Sequence, residues 1–228
     1  AASAGHVDIV KCLVENGAEV NAMRKWDETA LRMAAWVGHV DIVKYLVENG
    51  AEVNAVDKWG KMALRIAASS GHVDIVKYLV ENGAEVNAVD MYGLTVLRMA
   101  VSSRHVDIVK YLVENGAEEN AVDEWGKTVL RMAASAGNVH IVKCLVENGA
   151  EVNAVNEYGL TVLRIAASSG HVDIVKYLLE TGAEVNAVDM WGKTVLHMAA
   201  SAGHVHIVKC LVENGAEVNA VDEVRIDM

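Results

Sequence analysis

Apolar and polar residues follow one another along the chain with the spacing of short amphipathic helices. Around residue 141, the apolar positions fall at i, i+1, i+4 and i+5, which places them on one stripe of a helix. They are Ile141, Val142, Leu145 and Val146. This pattern predicts a helix over residues 139–147, and a second apolar stretch just before it predicts another over residues 128–136.

The same pattern returns every 33 residues. The tripeptide Ile-Val-Lys begins at Ile9, Ile42, Ile75, Ile108, Ile141, Ile174 and Ile207. All 18 glycines occupy three positions of this period: two that close helices, and a third in the turn Asp-x-x-Gly, as at residues 123–126. Aspartate first and glycine fourth suit a type I β-turn. One unit is therefore turn, helix, turn, helix, and such short helices must stack on neighbouring units to bury their apolar faces.

The unit D-x-x-G-x-T-x-L-x-x-A-A-x-x-G-H-V-x-I-V-K-x-L-V-E-N-G-A-E-V-N-A resembles the ankyrin repeat over practically the entire chain. The resemblance implies an all-α fold, a solenoid of stacked helix-turn-helix units with short β-turn or hairpin loops. We predict one ankyrin-repeat domain over residues 1–228, with a partial repeat at 1–23 and a residual turn at 222–228. The repeats between them begin at Arg24, Asp57, Asp90, Asp123, Asn156 and Asp189.

The sequence departs from the family pattern at several positions. The chain contains no proline, although ankyrin repeats usually carry one at the start of the first helix. Met62 lacks the threonine oxygen that would cap its helix. Arg104 occupies a helix-closing glycine position, and Asp27 replaces a turn glycine. We expect the repeats that hold Arg104 and Arg24 to be locally the weakest.

A 66-residue superperiod is visible in the turns, where Trp-Gly-Lys at 125 and 191 alternates with Tyr-Gly-Leu at 92 and 158. It indicates duplication of a two-repeat block, either in a genome or in a laboratory. Neither terminus has the polar cap that repeat arrays generally need for solubility. We therefore expect either a longer array or self-association through the uncapped ends.

Charge and composition narrow the functional classes. The chain has 31 acidic and 20 basic residues and a net charge of -11, which disfavours nucleic acid as a partner because phosphate binding depends on lysine and arginine. Three cysteines, an odd number without metal-ligand or redox spacing, suit a reducing, intracellular compartment. No apolar run is long enough for a membrane helix, and the first residues lack the pattern of a signal peptide.

The histidines and cysteines do not predict a catalytic or metal site. His204, His206 and Cys210 stand at i, i+2 and i+6, which scatters them around a helix instead of gathering them for tetrahedral zinc ligation. The chain also lacks a P-loop, G-x-S-x-G and H-E-x-x-H. We expect no enzyme activity, no metal and no cofactor.

One arginine recurs in each of five repeats, where the family usually carries histidine. These residues are Arg32, Arg65, Arg98, Arg131 and Arg164. Their planar side chains could grip carboxylates on a partner. The alternative is pairing with turn aspartates such as Asp57, Asp90 and Asp123, or with neighbouring carbonyls. We favour pairing, because a bare row of like charges would be unfavourable.

An aromatic residue stands at the third position of every turn. In ankyrin repeat proteins, the turn tips and the exposed side of the first helix contact the ligand, and exposed aromatic residues are frequent hot spots of interfaces. The predicted partner-binding residues are the aromatic row, the lysines two positions after three of its members, and Trp36: Trp26, Trp36, Trp59, Lys61, Tyr92, Trp125, Lys127, Tyr158, Trp191 and Lys193. The alternative is that each ring lies on the adjacent turn and only stiffens the array.

These patterns favour a non-catalytic scaffold that binds a protein through its turns and first helices. Two alternatives stay open. Near-identical repeats are also typical of an engineered or consensus-like array with no natural ligand. The resemblance further implies that the chain could be a substrate of an asparaginyl hydroxylase, since Leu145, Glu151, Val152 and Asn153 fit the pattern around the modified asparagine.

Overall fold

The computed structural model describes residues 1–23, 28–123 and 126–220. These residues form thirteen α-helices and a short 3-10 helix, Ala2–Ala4. The described part of the chain contains no strand, only two isolated antiparallel bridges, Val89–Thr95 and Val188–Thr194. The all-α prediction is therefore confirmed.

The helices alternate between two kinds, one for each half of the repeat. The first helices of the repeats are α2 (Ala30–Val37), α4 (Ala63–Ser70), α6 (Val96–Ser102), α8 (Val129–Ser135), α10 (Val162–Ser168) and α12 (Val195–Ser201). The second helices are α1 (Val7–Glu15), α3 (Val40–Glu48), α5 (Val73–Glu81), α7 (Val106–Glu114), α9 (Val139–Glu147), α11 (Val172–Glu180) and α13 (Val205–Glu213). The predicted bounds of α9 agree with the structure, and those of α8 agree to within one residue at each end.

Local sequence explains where the first helices begin. Threonine precedes five of the six, and its hydroxyl accepts a hydrogen bond from the backbone N–H three residues later, for example from Arg32 to Thr29 at 3.3 Å. This bond satisfies one of the donors that a helix start leaves without a partner. Met62 precedes α4 without such a bond, as predicted.

Arg104, at a helix-closing glycine position, adopts left-handed geometry. Its φ is 62°, and among the described residues it alone combines a side chain with positive φ. For a residue with a Cβ atom this conformation costs about 1–2 kcal/mol. The strain is local to the loop between α6 and α7.

The core consists of the apolar stripes of both helix kinds. Leu31 and Ala34 of α2 and Ile42 and Leu46 of α3 are almost completely buried. Burying one leucine or isoleucine side chain contributes about 1.5–3 kcal/mol. The equivalent residues of the other internal repeats are buried in the same way, so stacking of repeats provides most of the stability.

The chain divides into two compact units, Ala1–Glu118 and Glu119–Met228. In the first unit, α2, α4 and α6 pack in succession, as do α1, α3, α5 and α7. In the second unit, α8, α10 and α12 form one such row and α9, α11 and α13 form the other. The assignment of residues 1–228 to one domain, with its repeat boundaries, stays a prediction.

An asparagine in each loop joins consecutive repeats. Asn54 donates from Nδ2 to the Gly83 carbonyl at 3.0 Å and accepts at Oδ1 from the Glu85 N–H at 2.9 Å. The same pair of bonds is made by Asn21, Asn87, Asn120, Asn153 and Asn186. Each asparagine thus uses both ends of its amide to fix the register of the next repeat.

Candidate functional site

Asp57 shapes the turn that carries two of the predicted binding residues. Its Oδ1 accepts hydrogen bonds from the backbone N–H groups of Trp59 (2.9 Å) and Lys61 (2.8 Å). Gly60 donates its N–H to the Asp57 carbonyl at 2.8 Å and closes the predicted four-residue turn. Gly60 has a φ of 74°, and a Cβ atom there would lie 3.1 Å from the Asp90 Cα of the next turn. Glycine is required here by both conformation and space.

The other carboxylate oxygen of Asp57 binds an arginine from the preceding repeat. Arg32 Nη2 lies 2.6 Å from Asp57 Oδ2, and both side chains are buried. Equivalent pairs join Arg65 to Asp90 and Arg164 to Asp189. The structure confirms that these arginines pair with turn aspartates, so they do not form a row of exposed cations that could hold carboxylates on a partner.

Arg131 has different hydrogen-bond partners, because the turn residue opposite it is not aspartate. The matching position is Asn156, and Arg131 donates instead to the carbonyls of Gly126 (2.8 Å), Ala154 (2.9 Å) and Leu160 (2.5 Å). The residue is only 3% exposed. Burial lowers the pKa of Arg131, because a desolvated guanidinium is harder to keep charged.

A cavity on this side of the first unit has a volume of about 360 Å³. It lies between α2 and α4, and we call it the Trp36–Trp59 groove. Its lining includes Met33, Trp36, Trp59, Lys61, Ile66 and Ser69. Three residues predicted for partner binding, Trp36, Trp59 and Lys61, therefore come together at one site, although they lie up to 25 positions apart in the sequence.

Sequence reasoning missed the apolar base of this groove. Met33, Ile66 and Met99 all line it, and each directly follows the arginine of its repeat. The signal was available in the 33-residue period: a methionine or isoleucine recurs at this position in every repeat with a full first helix. This row was not among the predicted binding residues.

Trp36 is held in place through its own backbone. Its carbonyl oxygen lies 3.1 Å from Nε2 of His72, in the next repeat. The His72 ring fits against Gly38, where a Cβ atom would lie 2.6 Å from the ring carbon Cε1. The indole of Trp36 remains 59% exposed. A rigid helix end thus presents an exposed aromatic side chain, the arrangement that favours a binding hot spot.

Two ammonium groups lie over the ring of Trp59. Lys58 Nζ is 4.3 Å and Lys61 Nζ is 5.9 Å from the ring centroid, both within cation–π range. Trp59 is 36% exposed. Tyr92, in the next turn, is exposed as well, and Asp90 holds that turn as Asp57 holds its own.

The second unit presents its aromatic residues differently. The rings of Tyr158 and Trp191 stack with centroids 6.3 Å apart and planes within 5° of parallel. This pair matches the alternative in which each ring lies on the adjacent turn. Lys127 and Lys193 are exposed beside their turns. Trp26 and Trp125, also predicted for binding, lie outside the described residues.

Loop histidines such as His72 and His204 join consecutive repeats. His204 Nε2, for example, lies 3.2 Å from the Ser168 carbonyl, as His72 lies near Trp36. Cys210 is buried, and burial raises the pKa of its thiol. Within the described ranges, no three His, Cys, Asp or Glu residues are grouped so that they could hold a metal ion. Nor does any described helix have the length and apolar character needed to cross a membrane.

Asn153, the candidate for hydroxylation, uses both of its amide atoms in the hydrogen bonds that join consecutive loops. Its Nδ2 donates to the Gly182 carbonyl and its Oδ1 accepts from the Glu184 N–H, each at 3.0 Å. Modification of Asn153 stays a prediction.

Comparison with known families agrees with the repeat architecture. The family described as ankyrin repeats (3 copies) matches residues 1–57, 52–123 and 116–189. The family described as ankyrin repeat matches residues 191–223. A search of curated proteins gave no match to the chain.

Proposed function

The chain belongs to the ankyrin repeat family, whose members are generally protein–protein interaction modules, and from this premise we propose that it is a non-catalytic scaffold that binds a protein through its turn tips and first helices. The observation that supports this proposal is the Trp36–Trp59 groove. It combines two exposed indoles, a concave apolar surface and a fixed turn at one place in the first unit.

The second-helix side offers less to a partner. Its exposed residues are mainly charged, such as Asp41, Lys44 and Glu48 of α3. Its tyrosines are largely covered by the preceding repeat: Lys44 Nζ lies 5.8 Å from the ring centroid of Tyr78, and burial, followed by the nearby Glu48, raises the pKa of Tyr78. Isolated surface charges contribute little to binding, whereas exposed aromatic residues at the rim of a pocket contribute most.

The test is affinity capture with matched variants of the full chain. The bait proteins are the wild type, the double variant Trp36→Ala/Trp59→Ala, and the control Lys44→Gln/Lys77→Gln on the second-helix side. Captured proteins are quantified by mass spectrometry from a lysate of cells that express the chain. If each indole is a hot spot worth more than about 1 kcal/mol, the tryptophan variant should lose its partner by at least about tenfold while the control keeps it.

Two results would contradict the proposal. Loss of the partner from the lysine control alone would place binding on the second-helix side. Capture of no protein above background by the wild type would favour the alternative of a structural array without a ligand. Circular dichroism of each variant must match the wild type, as expected for side chains outside the buried core.

A further inference from the structure

We propose that the Trp36–Trp59 groove takes an extended peptide segment in which one aliphatic or aromatic side chain is flanked by carboxylates. The inference rests on the proposed function, since it names the chemistry of the partner at that same site. Three properties of the described residues support it: the size of the groove, its apolar base, and the sign of the charge at its rim.

The groove has the dimensions of a side-chain pocket. Its volume of about 360 Å³ falls at the lower end of the range for small-ligand sites, which is about 300–1,000 Å³. Such a space accommodates one or two amino-acid side chains but not a folded domain. The bound element is therefore a peptide side chain projecting from an extended segment or a loop of the partner.

The base of the groove is apolar and adaptable. Met33, Ile66 and Met99 line the groove together with the exposed indoles of Trp36 and Trp59. Methionine is unbranched and polarisable, so it adjusts to side chains of different shape. An apolar anchor would displace water from this surface, and the gain in affinity would grow with the apolar area buried.

Arg32, Asp57 and Arg65 also line the groove, and their charges are compensated by pairing. Arg32 binds Asp57 and Arg65 binds Asp90, and all four side chains are at most 10% exposed. Their charges therefore contribute little to the field at the rim. Lys61 and Glu28 line the groove, and Lys58 lies beside it over the Trp59 ring.

The positive rim contrasts with the rest of the molecule. The chain has a net charge of -11, and the exposed side of α3 carries Asp41 and Glu48 against Lys44. A carboxylate-bearing peptide is thus repelled by the net charge of the chain and attracted to the ammonium group of Lys61 in the groove. The indole N–H and ammonium groups at the rim are hydrogen-bond donors, which suits carboxylate and carbonyl oxygens on the peptide.

The probes for the test are three fluorescein-labelled peptides of about nine residues, measured by fluorescence anisotropy against the full chain. The first has a central leucine flanked by glutamates, the second a central leucine flanked by lysines, and the third a central glycine flanked by glutamates. We expect the first to bind at least about tenfold more tightly than either of the others. Its affinity should also fall as salt is raised, because the flanking interaction is electrostatic.

Single variants test the apolar contact and the electrostatic contact separately. Trp36→Ala should weaken the glutamate-flanked leucine peptide by about tenfold or more, through loss of the apolar contact. Lys61→Gln should weaken it by several fold and reduce its salt dependence. Lys77→Gln, an exposed lysine of α5 on the second-helix side, is the matched control and should leave the affinity unchanged.

The outcomes separate this inference from the proposed function. If the lysine-flanked peptide binds best and Trp36→Ala weakens it, the carboxylate chemistry is wrong but the binding face stands. If Lys77→Gln weakens binding and Trp36→Ala does not, the proposed face is wrong as well. Failure of the glutamate-flanked leucine peptide to bind at about 1 mM overturns the inference, and capture of a partner through Trp36 and Trp59 would still support the proposed function.

Discussion

The turn at residues 57–61 and the turn at 156–160 are the same element of two repeats, yet they build different surfaces. In the first, Asp57 binds Arg32, and Trp59 lies beside an open groove. In the second, Arg131 is held by carbonyls, and Tyr158 stacks on Trp191. The matched positions are Arg32 and Arg131, Trp36 and Ser135, Asp57 and Asn156, Trp59 and Tyr158, and Lys61 and Leu160.

The difference shows how a nearly uniform array acquires a local site. The core residues of the two repeats are equivalent: Leu31 and Leu130, like Ile42 and Ile141, are almost completely buried. The surface changes through Trp36, Lys61 and the partner of the buried arginine. Substitutions outside the packed stripe can therefore create or remove a binding surface without changing the fold.

Replacing Asp57 by Asn should give the first turn the arginine environment of the second. The change removes the charge that compensates buried Arg32, so we expect unfolding free energy to fall by about 2–3 kcal/mol. This is less than a fully uncompensated buried charge would lose, because Arg131 shows that carbonyls can take over part of the role. Urea denaturation followed by circular dichroism measures the effect.

The exposed Asp41→Asn is the control for this change and should alter stability by less than about 0.5 kcal/mol. An Asp57→Asn variant as stable as the control would show that the buried pair contributes nothing beyond what an amide provides. The difference between the two turns would then have no effect on the free energy of unfolding.

The reverse substitution, Asn156→Asp, should stabilise the second unit by about 1–2 kcal/mol at pH 7. It supplies a carboxylate to Arg131, whose lowered pKa reflects the unfavourable burial of its charge. Pairing with Arg131 would place the folded-state pKa of the new carboxyl below its unfolded value of about 3.9. The gain should therefore be present above about pH 4 and disappear as pH falls through the folded-state pKa.

Denaturation of Asn156→Asp and the wild type at pH 7 and pH 3 tests this sign. A gain that persists undiminished at the lower pH would show that the new carboxyl acts as a hydrogen-bonding group and not as a charge. A loss of stability at pH 7 would show that Arg131 cannot reach the turn as Arg32 reaches Asp57.

Arg104→Gly separates stability from binding in the first unit. Glycine relieves the left-handed conformation of Arg104, so the unfolding free energy should rise by about 1 kcal/mol. Arg104 does not line the Trp36–Trp59 groove, and peptide affinity should stay the same. An unchanged or lowered denaturation midpoint, with an unchanged m-value, would mean that Arg104 makes a compensating contact.

The smallest effect is expected at the stacked pair. Trp191→Ala removes the stack on Tyr158 and should lower stability by about 0.5–1 kcal/mol. Thermal denaturation of the variant and the wild type measures the loss. An unchanged midpoint would show that the stack does not stiffen the turns.

Sequence reasoning predicted the elements of this fold because each has a local cause. Thr29 caps its helix, Gly60 closes its turn, and Ile141, Val142 and Leu145 bury one stripe. Pairing of Arg32 with Asp57 followed from their recurrence in the period. Bonding to neighbouring carbonyls was the other open alternative, and the structure shows both. Arg65 and Arg164 pair with aspartate and also donate to a carbonyl of the next turn. Arg131, opposite Asn156, donates to three carbonyls.

Which residues form the site was harder to predict from the sequence. Trp36 and Trp59 line the same groove because the end of one helix lies near the next turn. This arrangement depends on the spacing between repeats, which no single residue encodes. The stack of Tyr158 on Trp191 depends on side-chain conformations that Trp59 and Tyr92 do not share. A periodic row of aromatic residues therefore predicted a surface but not where along it a pocket would form.

Fluorine NMR of the chain labelled with 5-fluorotryptophan tests the central claim most directly. The chain has five tryptophans, so the resonances can be assigned by replacing each tryptophan singly with tyrosine. On titration with the glutamate-flanked leucine peptide, the resonances of Trp36 and Trp59 should shift together with one dissociation constant, while that of Trp191 stays in place. A shift of Trp191 with Trp36 and Trp59 unchanged would contradict the assignment of the binding site to the Trp36–Trp59 groove.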